Sequence, residues 1–104
     1  MGILISLFEA TIKGANAVFE NLVELTFVRA DNPERKVVLR AHLDDDMVDY
    51  AIEAAKKLGL GPDEEFGLST PRGRPIRIVG RSVRDVVTSQ GTVFYVASRD
   101  MLGR

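Results

Sequence analysis

Between residues 4 and 19 the apolar positions Leu4, Leu7, Phe8, Ile12, Ala15, Val18 and Phe19 recur three or four apart. That spacing predicts an amphipathic helix with one face to bury, weakened in its middle by Gly14. Its polar face carries few charges and no basic stripe, so packing on the chain's own domain is favoured over a membrane surface or a partner. The period then changes. Residues 22–28 alternate, with Val23, Leu25 and Phe27 on one face, and residues 36–43 read as the returning strand. Asp31-Asn32-Pro33-Glu34 between them supplies a turn, so the two runs predict a hairpin.

A second helical pattern covers residues 47–58. Val48, Ala51, Ile52, Ala55 and Leu58 form its apolar stripe, while Glu53, Lys56 and Lys57 lie toward solvent. Asp44-Asp45-Asp46 offers an N-cap and favourable charge at the positive end of that helix, and Gly59 suits a left-handed stop. Beyond Gly61-Pro62-Asp63 come a short strand at 65–69, a loop rich in Pro, Gly and Arg, and an extended segment at 76–79. Residues 80–86 read as a single helical turn opened by Ser82, and residues 92–97, β-branched and aromatic, as the last strand. Strands, a helix and further strands argue an α+β fold in which one sheet covers one helix, with an extra helix before it. The chain divides into a helical extension (1–21), one domain (22–98) and a flexible polar tail (99–104).

Composition narrows the chemistry. With 104 residues there is room for one modest core, and a formal net charge of −1 gives no overall attraction to nucleic acid or anionic membrane. Arg72, Arg74, Arg77, Arg81 and Arg84 form a local basic region, but without interleaved aromatics it reads as a solvated or partner-facing surface. The absence of cysteine excludes disulfides, a thiolate nucleophile and Cys-ligated zinc on this chain. The single histidine, His42, lies on a predicted strand without a nucleophile and reads as structural. Asp44, Asp45 and Asp46 lack the spacing of a metal loop. No catalytic residue, metal or cofactor is therefore expected. The apolar run at 1–8, interrupted by Glu9 and Lys13, is too short to span a bilayer and lacks the marks of a secretory signal, so a cytoplasmic protein without stable membrane insertion is expected. Met1-Gly2 with Ser6 matches the loose myristoylation pattern only weakly.

The element order resembles the β-grasp fold of ubiquitin-like proteins, in which a mixed sheet wraps one helix. Leu60-Gly61-Pro62-Asp63-Glu64-Glu65 looks like ubiquitin's loop after the helix, and Gly80-Arg81-Ser82-Val83-Arg84-Asp85 like its glycine-led turn before the last strand. The stretch from Gly91 to Gly103 is closer to the ubiquitin-fold modifier family, whose members carry an Arg-Asp pair after the last strand, then an apolar residue, one glycine and a removable extension. Arg99 and Asp100 match the pair, Leu102 the apolar residue, Gly103 the glycine and Arg104 the extension. The ubiquitin-like autophagy modifiers also end in a single masked glycine and bear an N-terminal helical extension. The diglycine of ubiquitin and of the sulfur carriers is absent.

This resemblance implies a protein modifier. A protease would remove Arg104, an activating enzyme would adenylate the Gly103 carboxylate and take it as a thioester, and a conjugating step would pass it to an amine of a target protein. Arg99, Asp100 and Leu102 would contact the processing and activating enzymes, although Arg99 and Asp100 also fit a solvated charged pair. If Val93 and Tyr95 point inward, Phe94 and Val96 face outward beside the tail, either as a docking patch for partners or beneath the N-terminal helix. The alternative is a noncovalent interaction module or a small subunit of a larger complex, with an inert tail. Sulfur carriage on a terminal thiocarboxylate is a third reading.

Overall fold

The computed structural model describes residues 21–98. Strands β1 (Leu22–Arg29) and β2 (Asn32–His42) form the expected hairpin, with Leu25 opposite Leu39 and Phe27 opposite Val37. The turn is tighter than the 31–34 sequence implies. Asn32 already belongs to β2, and a register shift between Val28 and Arg29 absorbs the difference. Pro33 is tolerated because β2 is an edge strand, where a missing N–H breaks no ladder.

Helix α1 (Met47–Lys57) follows, then β3 (Phe66–Ser69), β4 (Pro75–Ile76), α2 (Val83–Gln90) and β5 (Val93–Ser98). The sheet order is β2-β1-β5-β3-β4. β5 runs parallel to β1 and antiparallel to β3, so the sheet is mixed, and the long connection that a parallel pair requires carries both helices. The fold is α+β, as its pattern predicts. One sheet face supplies Leu25, Phe27, Leu39, Leu68, Phe94 and Val96 to the core, which meet Met47, Ala51, Ala54 and Leu58 on α1's side. The Phe27 and Phe94 rings lie 5.5 Å apart at 34°.

α1 sits about its axis differently from the expected stripe. Ala51, Ala54 and Ala55 are buried, whereas Val48 is half-buried and Ile52 is 44% exposed. At about 100° per residue, Ile52 projects roughly 120° from the centre of the buried face. The small alanines let the helix lie close to the sheet, and the apolar stripe is wider than the surface the sheet covers.

The helix starts correct a second expectation. Asp46 occupies the N-cap of α1, yet its side chain makes no capping bond. The two helices share their ends instead: Met47 N–H donates to the Arg81 carbonyl (3.0 Å), Val83 N–H to the Asp45 carbonyl (2.8 Å), and Asp46 bridges Ser82. This pairing satisfies the first backbone donor of each helix, and Asp49 N–H, which a capping carboxylate could have served, donates to the Asp46 carbonyl (3.3 Å) instead. Ser82 does cap α2, its hydroxyl accepting from Asp85 N–H at 3.1 Å. α2 is two turns long where one was expected, with Val83 and Val86 buried. α1 stops at Gly59, whose φ of +92° is the expected left-handed position, and Arg29 Nη1 donates to the carbonyl of Leu58 at 2.7 Å.

Candidate functional site

The described chain ends at Ser98, paired with Phe66 of β3 and two residues past the Val96 carbonyl that accepts from Ala30 N–H at 2.9 Å. Arg99, Asp100, Leu102, Gly103 and Arg104 lie outside the described residues, as does the extension before Asn21.

The expected docking pair is corrected. Phe94 and Val96 are fully buried, while Val93 is 38% exposed and Tyr95 half-buried. The register decides this. Phe94 stands beside Phe27 and Val96 beside Leu68, both core residues, so β5 is inverted relative to the expected faces. Burial in the core under α1 accounts for both side chains, and the expected covering helix lies outside the described residues.

The outer face carries a different apolar row. Thr26 is the register partner of Val38 on one side and of Val93 on the other. Val38 is 54% exposed, so this row from β2 across β1 to β5 presents two aliphatic side chains to solvent. Sequence reasoning missed it, although the parity of β2 carries the signal, since Val38 lies between inward-facing Val37 and Leu39 only by sequence and not by face.

On the other side of the sheet, α1 and the β3–β4 edge flank an apolar groove of about 700 Å³ lined by Val48, Ile52, Phe66, Leu68, Ile78 and Val79 among others. Val79 is 77% exposed at its rim. Among the described residues Arg77 is its single charged lining residue. Of the arginine-rich region, Arg81 is consumed internally, with Nε on Asp85 Oδ2 (3.1 Å) and Nη2 on the Asp85 carbonyl and Ser89 Oγ. Arg84 pairs with Asp44 at 3.0 Å. Arg72, Arg74 and Arg77 make no ion pair among the described residues. Arg72 and Arg74 flank Gly73 in the β3–β4 turn, which is closed by Thr70 N–H on the Arg74 carbonyl and Gly73 N–H on the Thr70 carbonyl, both 2.8 Å.

The titratable groups near His42 form a structural clasp. His42 N–H donates to Tyr50 Oη (3.2 Å), and Tyr50 Oη donates to Asp45 Oδ2 (2.6 Å). Burial first, and then the hydrogen bond to Asp45, push the Tyr50 phenol above its ordinary value. Asp44, Asp45 and Asp46 thus serve an ion pair, this clasp and a helix start in turn. Among the described residues no group of three or more acidic or histidine side chains is placed to hold a metal ion, and no helix is long and apolar enough to cross a membrane.

No protein-family model matches the chain, and no curated protein matches it in sequence. What bears on function is therefore the geometry: a two-sided sheet with an apolar row outside, an apolar groove beside the helix, and a central strand that the tail follows in sequence.

Proposed function

We propose that this chain is a ubiquitin-like modifier of β-grasp fold, joined to amines of target proteins through Gly103 after Arg104 is removed. The observation that carries the reading is the position of β5. It is the middle strand of the order β2-β1-β5-β3-β4, hydrogen-bonded to β1 and β3, and the tail follows it directly. A covalent handle rooted in a strand paired on both sides is held by the whole sheet. A parallel β1/β5 pair with a helix packed on one face also agrees with the β-grasp pattern.

The chemistry is acyl transfer with this chain as donor. A free carboxylate is a poor electrophile, so ATP converts the Gly103 carboxylate to an acyl-adenylate with release of pyrophosphate. A thiolate of the activating enzyme displaces AMP to give a thioester, and a lysine amine of the target displaces the thiol. This chain contributes no catalytic group; it presents Gly103, uses Arg99, Asp100 and Leu102 as tail contacts, and offers the Val38–Val93 row for noncovalent docking of the enzymes.

The test is an N-terminally tagged chain incubated with ATP in extract of its source cells. Species of higher mass are expected, lost with Gly103→Ala, together with a thiol-reducible adduct of a form ending at Gly103. If the tagged chain stays a single species in all forms, the modifier reading fails. The exposed Val38–Val93 row also fits a second reading, a noncovalent interaction module. Partner capture that survives Gly103→Ala but is lost with Val38→Asp would establish that one instead.

A further inference from the structure

We propose that residues 4–19 of this chain are the occupant of the groove between α1 and the β3–β4 edge. Ile52 and Val79, both strongly exposed, leave the groove with aliphatic surface that gains from removal from water. Residues 4–19 carry the matching need, a stripe of Leu4, Leu7, Phe8, Ile12, Ala15, Val18 and Phe19 spaced for one helix face. Both surfaces belong to one chain.

The attachment point puts them within reach. The Asn21 carbonyl accepts from Leu43 N–H (2.8 Å), the Leu43 carbonyl accepts from Arg84 N–H (2.8 Å), and the Arg81 carbonyl accepts from Met47 N–H (3.0 Å). Asn21 therefore stands beside the junction where both helices begin. Val79, at the groove rim, is two residues from Arg81, at most about 7.6 Å along the chain. The helix that the apolar spacing predicts over 4–19 would be about 24 Å long, longer than α1 at about 16 Å. Arg77, the groove's one charged lining residue among those described, has no ion pair among the described residues.

Linkage decides between this occupant and others. A segment joined by only Glu20 and Asn21 is present at the groove at an effective concentration on the order of millimolar. A second copy or a partner peptide at micromolar concentration would have to bind roughly a thousandfold more tightly to displace it. The segment thus acts as a resident cover of one face and leaves the outer face free.

Because the chain has no cysteine, one nitroxide label can be placed without removing any native group. Ala10→Cys puts it on the side of the predicted helix opposite the apolar stripe. In the full chain, paramagnetic broadening is expected at the methyls of Val48, Ile52 and Val79, not at those of Val38 and Val93 across the sheet, and unchanged on dilution. Adding Phe8→Asp and Ile12→Asp should abolish the broadening while the core resonances of Phe27 and Phe94 stay in place. Groove methyls left sharp overturn the proposal, whether the groove is empty or holds a partner's peptide. Broadening seen only when labelled chain is mixed with isotopically enriched, unlabelled chain also overturns it, in favour of a second copy. None of these readouts depends on conjugation, so the two proposals fail separately.

Discussion

Tyr50 does more than its place in the middle of a helix suggests. Its hydroxyl accepts from His42 N–H and donates to Asp45, tying the end of β2 and the approach to α1 to the helix itself. Because its phenol is held above the ordinary tyrosine value, the folded state binds that proton more tightly than the unfolded chain does. The resulting stability is complete below the unfolded pKa of about 10 and is lost as pH rises through the higher folded value. Tyr50→Phe should cost about 1 kcal/mol at neutral pH, and should flatten the alkaline loss of stability above pH ~10. Denaturant titrations of both proteins at neutral and alkaline pH check this, since the second tyrosine, Tyr95, is common to both. A steeper test separates two neighbours on β5. Phe94 is fully buried against Phe27, so Phe94→Ala should cost about 3–5 kcal/mol, whereas Val93→Ala on the outer face should cost less than about 1 kcal/mol, read from urea midpoints at unchanged slope. The reverse ranking follows from the faces expected from sequence alone. β5 reads Val-Phe-Tyr-Val-Ala, apolar on both sides, so alternation gives which residues share a face but not which face is inward. Only pairing with β1, which sets Phe94 beside the buried Phe27 and Val93 beside Thr26, decides the answer.

The elements follow the same logic at their ends. β1, β2, α1 and β5 lie within a few residues of where the sequence puts them, because β1 alternates, a turn sequence precedes β2, α1 carries a helical stripe with a glycine stop, and β5 is a β-branched and aromatic run. α2 was foreshortened in the pattern because Val83, Val86 and Val87 are β-branched and poor helix formers; burial of Val83 and Val86 overrides that preference. The N-termini of the helices are where local sequence misleads. Three aspartates look like a stronger cap than one serine, yet the α1 start is satisfied by the backbone of the residues leading into α2. Ser82→Ala should therefore cost about 1 kcal/mol through loss of its bond to Asp85 N–H, while Asp46→Ala should stay within about 0.5 kcal/mol. Thermal denaturation of the two variants ranks them. Equal losses would mean that Asp46 caps α1 after all. The groove was hidden from sequence for a related reason: Val48 and Ile52 belong to the same apolar stripe as Ala51 and Ala55, and only the close approach of the alanines to the sheet turns them off the core.

Across the whole molecule, the sheet separates two apolar surfaces that the sequence does not distinguish. Val38 and Val93 face one way, Ile52 and Val79 the other, with a core layer between them. If the outer row docks the enzymes that act on the tail and the groove holds the chain's own N-terminal segment, charge placed on one surface should leave the other's function intact. Val38→Asp tests this well. Val38 is more than half exposed on an edge strand, so the change costs little beyond β-propensity, within about 1 kcal/mol. Its effect on docking should be larger, because an ionised carboxylate set into an apolar contact must be desolvated without a partner. A tenfold or greater loss of conjugate formation is expected, equivalent to at least about 1.4 kcal/mol of binding. Val79→Asp should do the converse, releasing the groove methyls from the labelled segment while conjugate formation holds at the unmodified level. Sites this far apart with no shared partner should combine additively in the double variant. A double variant worse than the product of the two would show that covering the groove and docking on the outer face are coupled through the core they share.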